Sequence, residues 1–128
     1  HTAFDEPYDS GLKKMIATAA NKVADSHLSN EAVYACLQGP RFPSKAEVRR
    51  LVRDGADVFG MTGMPEAILA KELGMRYVHL CGVIGWAPGM EDTCTTCSRA
   101  PSDETEYQAI AHIRALLAAL NGEKPAEL

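Results

Sequence analysis

The stretch Ala32–Glu66, AVYACLQGPRFPSKAEVRRLVRDGADVFGMTGMPE, narrows the folds open to this chain more than any other. Val33, Tyr34 and Cys36 to Gln38 carry the β-branched, aromatic and apolar content of a buried strand, and Gly39-Pro40 stops it. Ser44 with Glu47 three residues on forms a capping box, and Val48, Leu51 and Val52 follow at helical spacing. Gly55 supplies the left-handed residue that ends such a helix. Asp57 to Met61 reads as the next short strand. Pro65 suits the first turn of the helix after it, where its missing N–H has no partner to lose. Strands alternating with helices of about three turns predict an α/β layer structure with a mostly parallel sheet.

Ligands of such sheets bind beyond the carboxyl ends of the strands. Two strand ends here carry unusual loops, Gly39–Ser44 (GPRFPS) and Gly60–Glu66 (GMTGMPE). The second puts Thr62 and the N–H groups around Gly63 at a helix start, where unpaired donors and the helix dipole favour an anion. The plainer alternative is that Thr62 simply caps the helix.

At 128 residues and 46% apolar content, the chain fits one small domain with enough apolar material for a core. A net charge of −4, with both signs interspersed, points to neither nucleic acid nor an anionic membrane as partner. No apolar run approaches the ~20 residues of a membrane span. No signal peptide is expected, and a chain opening on HTAFDEPYD resembles a processed, cut or partial product. Asp9 or Ser10 caps a first helix whose apolar face is Leu12, Met15, Ile16, Ala19 and Val23. Met15 is read there as core filler, and Lys13, Lys14 and Lys22 as a solvated face. After a helix over Ala67 to Leu73, Arg76 to Ile84 (RYVHLCGVI) is nearly continuously apolar and predicts a long central strand. His79 within it reads as a packed, hydrogen-bonded histidine.

Residues 86–102 form an irregular loop with Cys94 and Cys97 as a CxxC. Free thiols, a disulfide clasp and a zinc site are the three readings, in that order, since no second ligand pair stands at zinc spacing. Cys36 and Cys81 lie in strand segments as small buried residues. A last helix starts at Pro101 to Asp103, with Asp103 and Glu106 as box partners. Its apolar stripe is Tyr107, Ile110, Ile113, Leu117 and Leu120, with His112 and Arg114 facing away. Asn121-Gly122 stops it, and Glu123 to Leu128 frays.

The stretch YACLQGPRF…AEVRRLVRDGADVFGMTGMPEAILAKELGMRY resembles the second half of the trimeric purine nucleoside phosphorylases, closest to the methylthioadenosine and methylthioinosine phosphorylase branch. The likeness runs from about His1 to Trp86. It implies a three-layer α/β/α fold of which residues 1–128 are the C-terminal half. It implies phosphorolysis of a purine or 5′-methylthio purine nucleoside to free base and pentose 1-phosphate, with phosphate as co-substrate and no metal or organic cofactor. Carried over by position, Phe42 packs on the base, Met61 lies against the sugar, and Thr62 helps hold phosphate. Gly85 and Trp86 fall at the purine edge. His1 matches either the family's site histidine or a ragged end, and the latter is preferred.

Two departures stand out. Pro43 replaces the family's usual Glu or Ser, and Gly85 replaces an Asn or Asp that bonds the purine edge. Base preference is therefore not inherited. The family's glycine-rich phosphate loop and its arginine and histidine phosphate ligands precede the region present here. The resemblance thus implies a complementary N-terminal half chain, a trimer or multiple of trimers, and a cytoplasmic setting. Two other readings stay open: a non-catalytic subunit or binding module that keeps the fold, and a different reaction in a pocket remodelled by Trp86 and the CxxC loop.

Overall fold

The computed structural model describes residues 1–23, 27–29, 31–90 and 102–122. Cys94, Cys97, Pro101 and the segment 123–128 lie outside them, and so do the expectations placed there. The elements run α1 (Ser10–Ala20), β1 (Tyr34–Cys36), α2 (Lys45–Arg53), β2 (Val58–Gly60), α3 (Glu66–Glu72) and α4 (Asp103–Leu120).

The β1–α2–β2 unit forms from local signals. Ser44 and Glu47 make the full capping box, with the Ser44 side chain accepting from Glu47 N–H and the Glu47 carboxylate accepting from Ser44 N–H. At the other end Gly55 takes φ 87°, and the Ala56 N–H reaches back to the Leu51 carbonyl at 3.0 Å, closing the helix in a Schellman motif. Val48 is buried beneath α2, whereas Val52 is exposed. The chain then returns so that β1 and β2 pair in parallel, Tyr34 opposite Val58 and Cys36 opposite Gly60. Leu37 N–H extends the ladder to the Gly60 carbonyl at 2.8 Å. Both strand ends, and so both loops, leave the sheet at the same edge.

The start of α1 is tied to the segment after α3. Asp9 caps α1 by accepting from Leu12 N–H at 2.7 Å. Its carboxylate also takes both Arg76 Nε (3.1 Å) and Nη2 (2.9 Å), and its own N–H donates to the Tyr77 carbonyl. The Arg76 guanidinium, followed by the cap bond, lowers the Asp9 pKa to about 2.

Four expectations are corrected. Residues 76–84 run without helix or strand assignment, and the expected central strand is not there. A strand needs a neighbour's N–H and C=O groups, and among the described residues no backbone hydrogen bond joins 78–84 to β1; both line an open trough of about 970 Å³. Next, Met15 is 52% exposed rather than core filler. The α1 face that packs is Ala19, Ala20 and Val23, against Ala115, Leu116 and Ala119 of α4, with Leu28 and Leu80 at its margin. This core is built largely of alanine, and no side chain in the described residues is fully buried. The apolar fraction overstates it, because many large apolar side chains sit on the surface.

The third correction is the turning of α4. Tyr107 (73% exposed), Ile110 and Leu117 point outward, while Ala115, Leu116 and Ala119 are buried. Small residues let α4 approach the alanines of α1 closely, and that contact sets its rotation. His112, expected on the outer face, is half-buried and bonds the Gln108 carbonyl through Nδ1 at 2.8 Å. The α4 cap is Ser102, which accepts from Thr105 N–H at 3.1 Å, in place of the Asp103–Glu106 box. The fourth concerns α3. Its N-cap is Pro65, with no side-chain cap bond, so Thr62 is not a plain cap. Among the described residues, no helix is long and apolar enough to cross a membrane.

Candidate functional site

The two turns beyond β1 and β2 touch. Gly39 has φ 71°, and a Cβ there would fall 2.8 Å from the Met61 sulfur, so the Met61 thioether lies directly on the Gly39–Pro40 turn. The GPRF turn then continues to Phe42, whose ring is 66% exposed, and to Pro43, which is buried. Arg41 in this loop is occupied. Its guanidinium grips Glu47 in a two-point pair (2.9 and 2.8 Å) and donates to the Phe42 carbonyl at 3.1 Å. That guanidinium, with the Ser44 bonds behind it, holds the Glu47 carboxyl far below the usual carboxylate range.

The GMTG turn is held from three sides. Below it, the Tyr34 hydroxyl donates to the Thr62 carbonyl (2.8 Å) and accepts from the Thr62 N–H (3.2 Å). The Cys36 thiol, two residues along the same strand face, lies 3.3 Å from the same carbonyl. A Cβ on Gly60 would collide with the Tyr34 hydroxyl, so that position leaves the hydroxyl its room. From the α3 side, Ala67 N–H donates to the Gly63 carbonyl at 2.9 Å. On the third side stands His79. A Cβ on Gly63 would be 2.8 and 2.9 Å from its Cε1 and Nδ1, and Gly63 itself has φ 87°. The Thr62 side chain remains exposed at the rim. Its N–H, however, is taken by Tyr34, so it is not among the open donors expected of this turn. Among the described residues, the N–H groups of Gly63 and Met64 have no hydrogen-bond acceptor.

His79 is packed, as its strand-like context suggests, but incompletely bonded. Its ring meets Tyr34 edge-on with centroids 4.6 Å apart, and Tyr8 approaches it at 6.5 Å. Nε2 lies 3.4 Å from the Cys81 sulfur, and Nδ1 is buried without a hydrogen-bond partner among the described residues. Burial raises the Cys81 pKa and so favours the neutral thiol beside the imidazole. Burial likewise raises the Tyr8 pKa, reinforced by Tyr77, Cys81, Tyr34 and Cys36 around it.

Of the residues singled out in the sequence, Met61, Thr62 and the loop of Phe42 are thus brought to one edge. Gly85 and Trp86 (45% exposed) follow the unpaired segment. Among the described residues, no hydrogen bond or ring contact ties them to the two turns. Sequence reasoning missed Tyr34 and left His79 without a link to the GMTG turn. Their partners lie 28 or 16 residues away in sequence, and only the parallel return of β2 brings them together. An aromatic one pleat before the strand end, facing a glycine-rich turn, was the available signal for Tyr34.

Comparison with known proteins adds four findings. The family model described as the phosphorylase superfamily matches residues 1–120. A probable S-methyl-5′-thioinosine phosphorylase of Pseudomonas syringae pv. tomato is 39% identical over 118 residues, covering 92% of this chain and 47% of that protein. A probable 6-oxopurine nucleoside phosphorylase of Thermococcus kodakarensis is 43% identical over 90 residues, 70% of this chain and 33% of that protein. Among solved structures, a mutant adenosine/methylthioadenosine phosphorylase of Schistosoma mansoni in complex with methylthioadenosine superposes with a TM-score of 0.77. It is 22% identical, and the match covers 95% of this chain and 46% of that one. The chain therefore spans about half the length, or less, of the relatives it matches.

Proposed function

Because this chain belongs to the phosphorylase superfamily and carries part of the nucleoside phosphorylase α/β fold, we propose that it takes part in phosphorolysis of a purine or 5′-methylthio purine nucleoside. In that reaction a phosphate oxygen forms a bond to the sugar C1′ while the C–N glycosidic bond breaks and its electron pair leaves with the base. Positive charge develops on the sugar and negative charge on the base. Catalysis then depends on placing the anion beneath the sugar and receiving the base's charge.

In this reading the Thr62 hydroxyl and the open Gly63 and Met64 N–H groups face phosphate. Met61 offers a soft apolar surface to the sugar, and Phe42 stacks on the base. Gly85 and Trp86 belong to the purine edge, where a glycine lets backbone rather than a side chain approach the base. A complementary N-terminal half supplies the phosphate loop, with assembly as a trimer or multiple of trimers in the cytoplasm. The observation that carries the reading is the direct contact of the GPRF and GMTG turns through Met61 and Gly39. It gives base-side and phosphate-side residues a common edge.

Purifying the native assembly, weighing it intact and assaying it with 5′-methylthioinosine and inosine tests this. Phosphate-dependent release of free base is the expected result. An assembly that contains both halves, binds nucleoside and releases no base would instead establish the non-catalytic subunit. The buried Pro43, in place of a polar side chain, is the observation that favours that second reading.

A further inference from the structure

His79 has no assigned role in the reaction proposed above, yet its ring packs against the GMTG turn at Gly63 from outside the two loops. Three observations bear on it. Its imidazole covers the face of Gly63, where no Cβ could fit without displacing the ring. Its edge packs on the Tyr34 ring, whose hydroxyl holds both backbone polar groups of Thr62. Its Nδ1 is buried with no partner among the described residues, a state that costs stability unless something else is gained.

We propose that His79 is a positioning residue for phosphate. Its ring clamps the Met61–Gly63 turn from above, while the Tyr34 hydroxyl fixes it from below, in the conformation that presents the Thr62 hydroxyl and the Gly63 N–H to the anion. The two contacts act on adjacent residues and leave the turn one arrangement. Backbone donors serve an anion only when they are held toward it before it arrives. A Phe in place of His79 fills the same space and keeps the edge-on contact with Tyr34. An Ala does neither. This inference rests on the assignment of phosphate to the Thr62 turn.

The test uses the native assembly that contains this chain, inorganic phosphate as probe, and amide NMR of Thr62 and Gly63. Nucleoside binding is read separately by calorimetric titration with 5′-methylthioinosine. Wild type should show saturable shifts at both amides. His79→Ala and Tyr34→Phe should each weaken phosphate roughly twofold to tenfold, the range a single hydrogen bond commands. His79→Phe should restore wild-type phosphate affinity, and nucleoside affinity should hold in all three. Unchanged phosphate affinity in His79→Ala, or equal weakening of phosphate and nucleoside, would overturn the clamp while leaving the phosphate assignment intact. Failure of phosphate to shift Thr62 and Gly63 in wild type would overturn both. Should His79→Ala not fold, Tyr34→Phe and His79→Phe still decide the matter, since the first must weaken phosphate and the second must not.

Discussion

Gly63 and Gly55 share the same positive φ, 87°, in different surroundings, and this makes them a matched pair. An alanine at either position carries a Cβ into left-handed space, at about 1–2 kcal/mol. Each substitution also restricts the unfolded chain, returning about 0.4–1 kcal/mol. These contributions are common to both and cancel in the difference. What remains is the neighbour. A Cβ on Gly55 meets nothing within 4 Å, whereas one on Gly63 falls 2.8–2.9 Å from the His79 ring. Forcing a packed ring aside costs about 1–3 kcal/mol, the usual range for overpacking. Gly63→Ala should therefore destabilise the chain by about 1–3 kcal/mol more than Gly55→Ala. Urea unfolding of both variants under one set of conditions gives that difference directly. In a His79→Ala background the excess should vanish, because the obstructing ring is gone. Equal losses for the two glycine variants, or an excess that survives removal of His79, would refute the packing of His79 on Gly63.

Ser44→Ala removes the side-chain half of the α2 capping box and should cost about 0.5–2 kcal/mol in the same unfolding assay; a neutral result would show that the Glu47 half suffices. Asp9 should titrate at about 2 by carboxyl NMR, and Arg76→Ala should return it toward the ordinary ~3.9. Because the folded pKa is the lower one, the stability contributed by this pair is complete above the unfolded value of ~3.9 and is lost as pH falls through about 2. An Arg76→Ala protein with an unchanged acid-unfolding curve would contradict this. If the proposed phosphorolysis holds, Thr62→Ala should raise the phosphate KM well beyond any change in nucleoside KM. Equal effects would remove Thr62 from the phosphate side.

Local signals in this sequence were legible and distant ones were not. The Ser44–Glu47 box and the stop at Gly55 are each written within a few residues, and each forms as read. The segment 76–84 has the composition of a buried strand, but ladder bonds come from a neighbour, and composition does not say whether one is adjacent. In α4 the 3.6-residue period picked out Tyr107, Ile110 and Leu117 because they are the most apolar, yet the packed face is made of Ala115, Leu116 and Ala119. Hydropathy ranks alanine low, whereas helix approach rewards its small size. At the candidate site, the two loops could be singled out at the strand ends, and the family resemblance pointed to Phe42, Met61 and Thr62 within them. The Tyr34 bonds to Thr62, and the imidazole laid on Gly63, depend on how β1, β2 and the unpaired segment meet in space.

The pairing of Arg41 with Glu47 also changes how the rim beside Phe42 behaves toward a ligand. Both side chains are solvent-accessible, so water screens the pair and its share in folding stability is small. Its consequence is mechanical. Glu47 belongs to the first turn of α2 and also accepts from Ser44 N–H, while Arg41 reaches the Phe42 carbonyl. The loop and the helix start therefore move as one body, and Phe42 is carried on a frame already fixed. Under the proposed stacking of the base on Phe42, binding would immobilise one side chain instead of a six-residue loop, because the loop's ordering entropy has already been lost on folding.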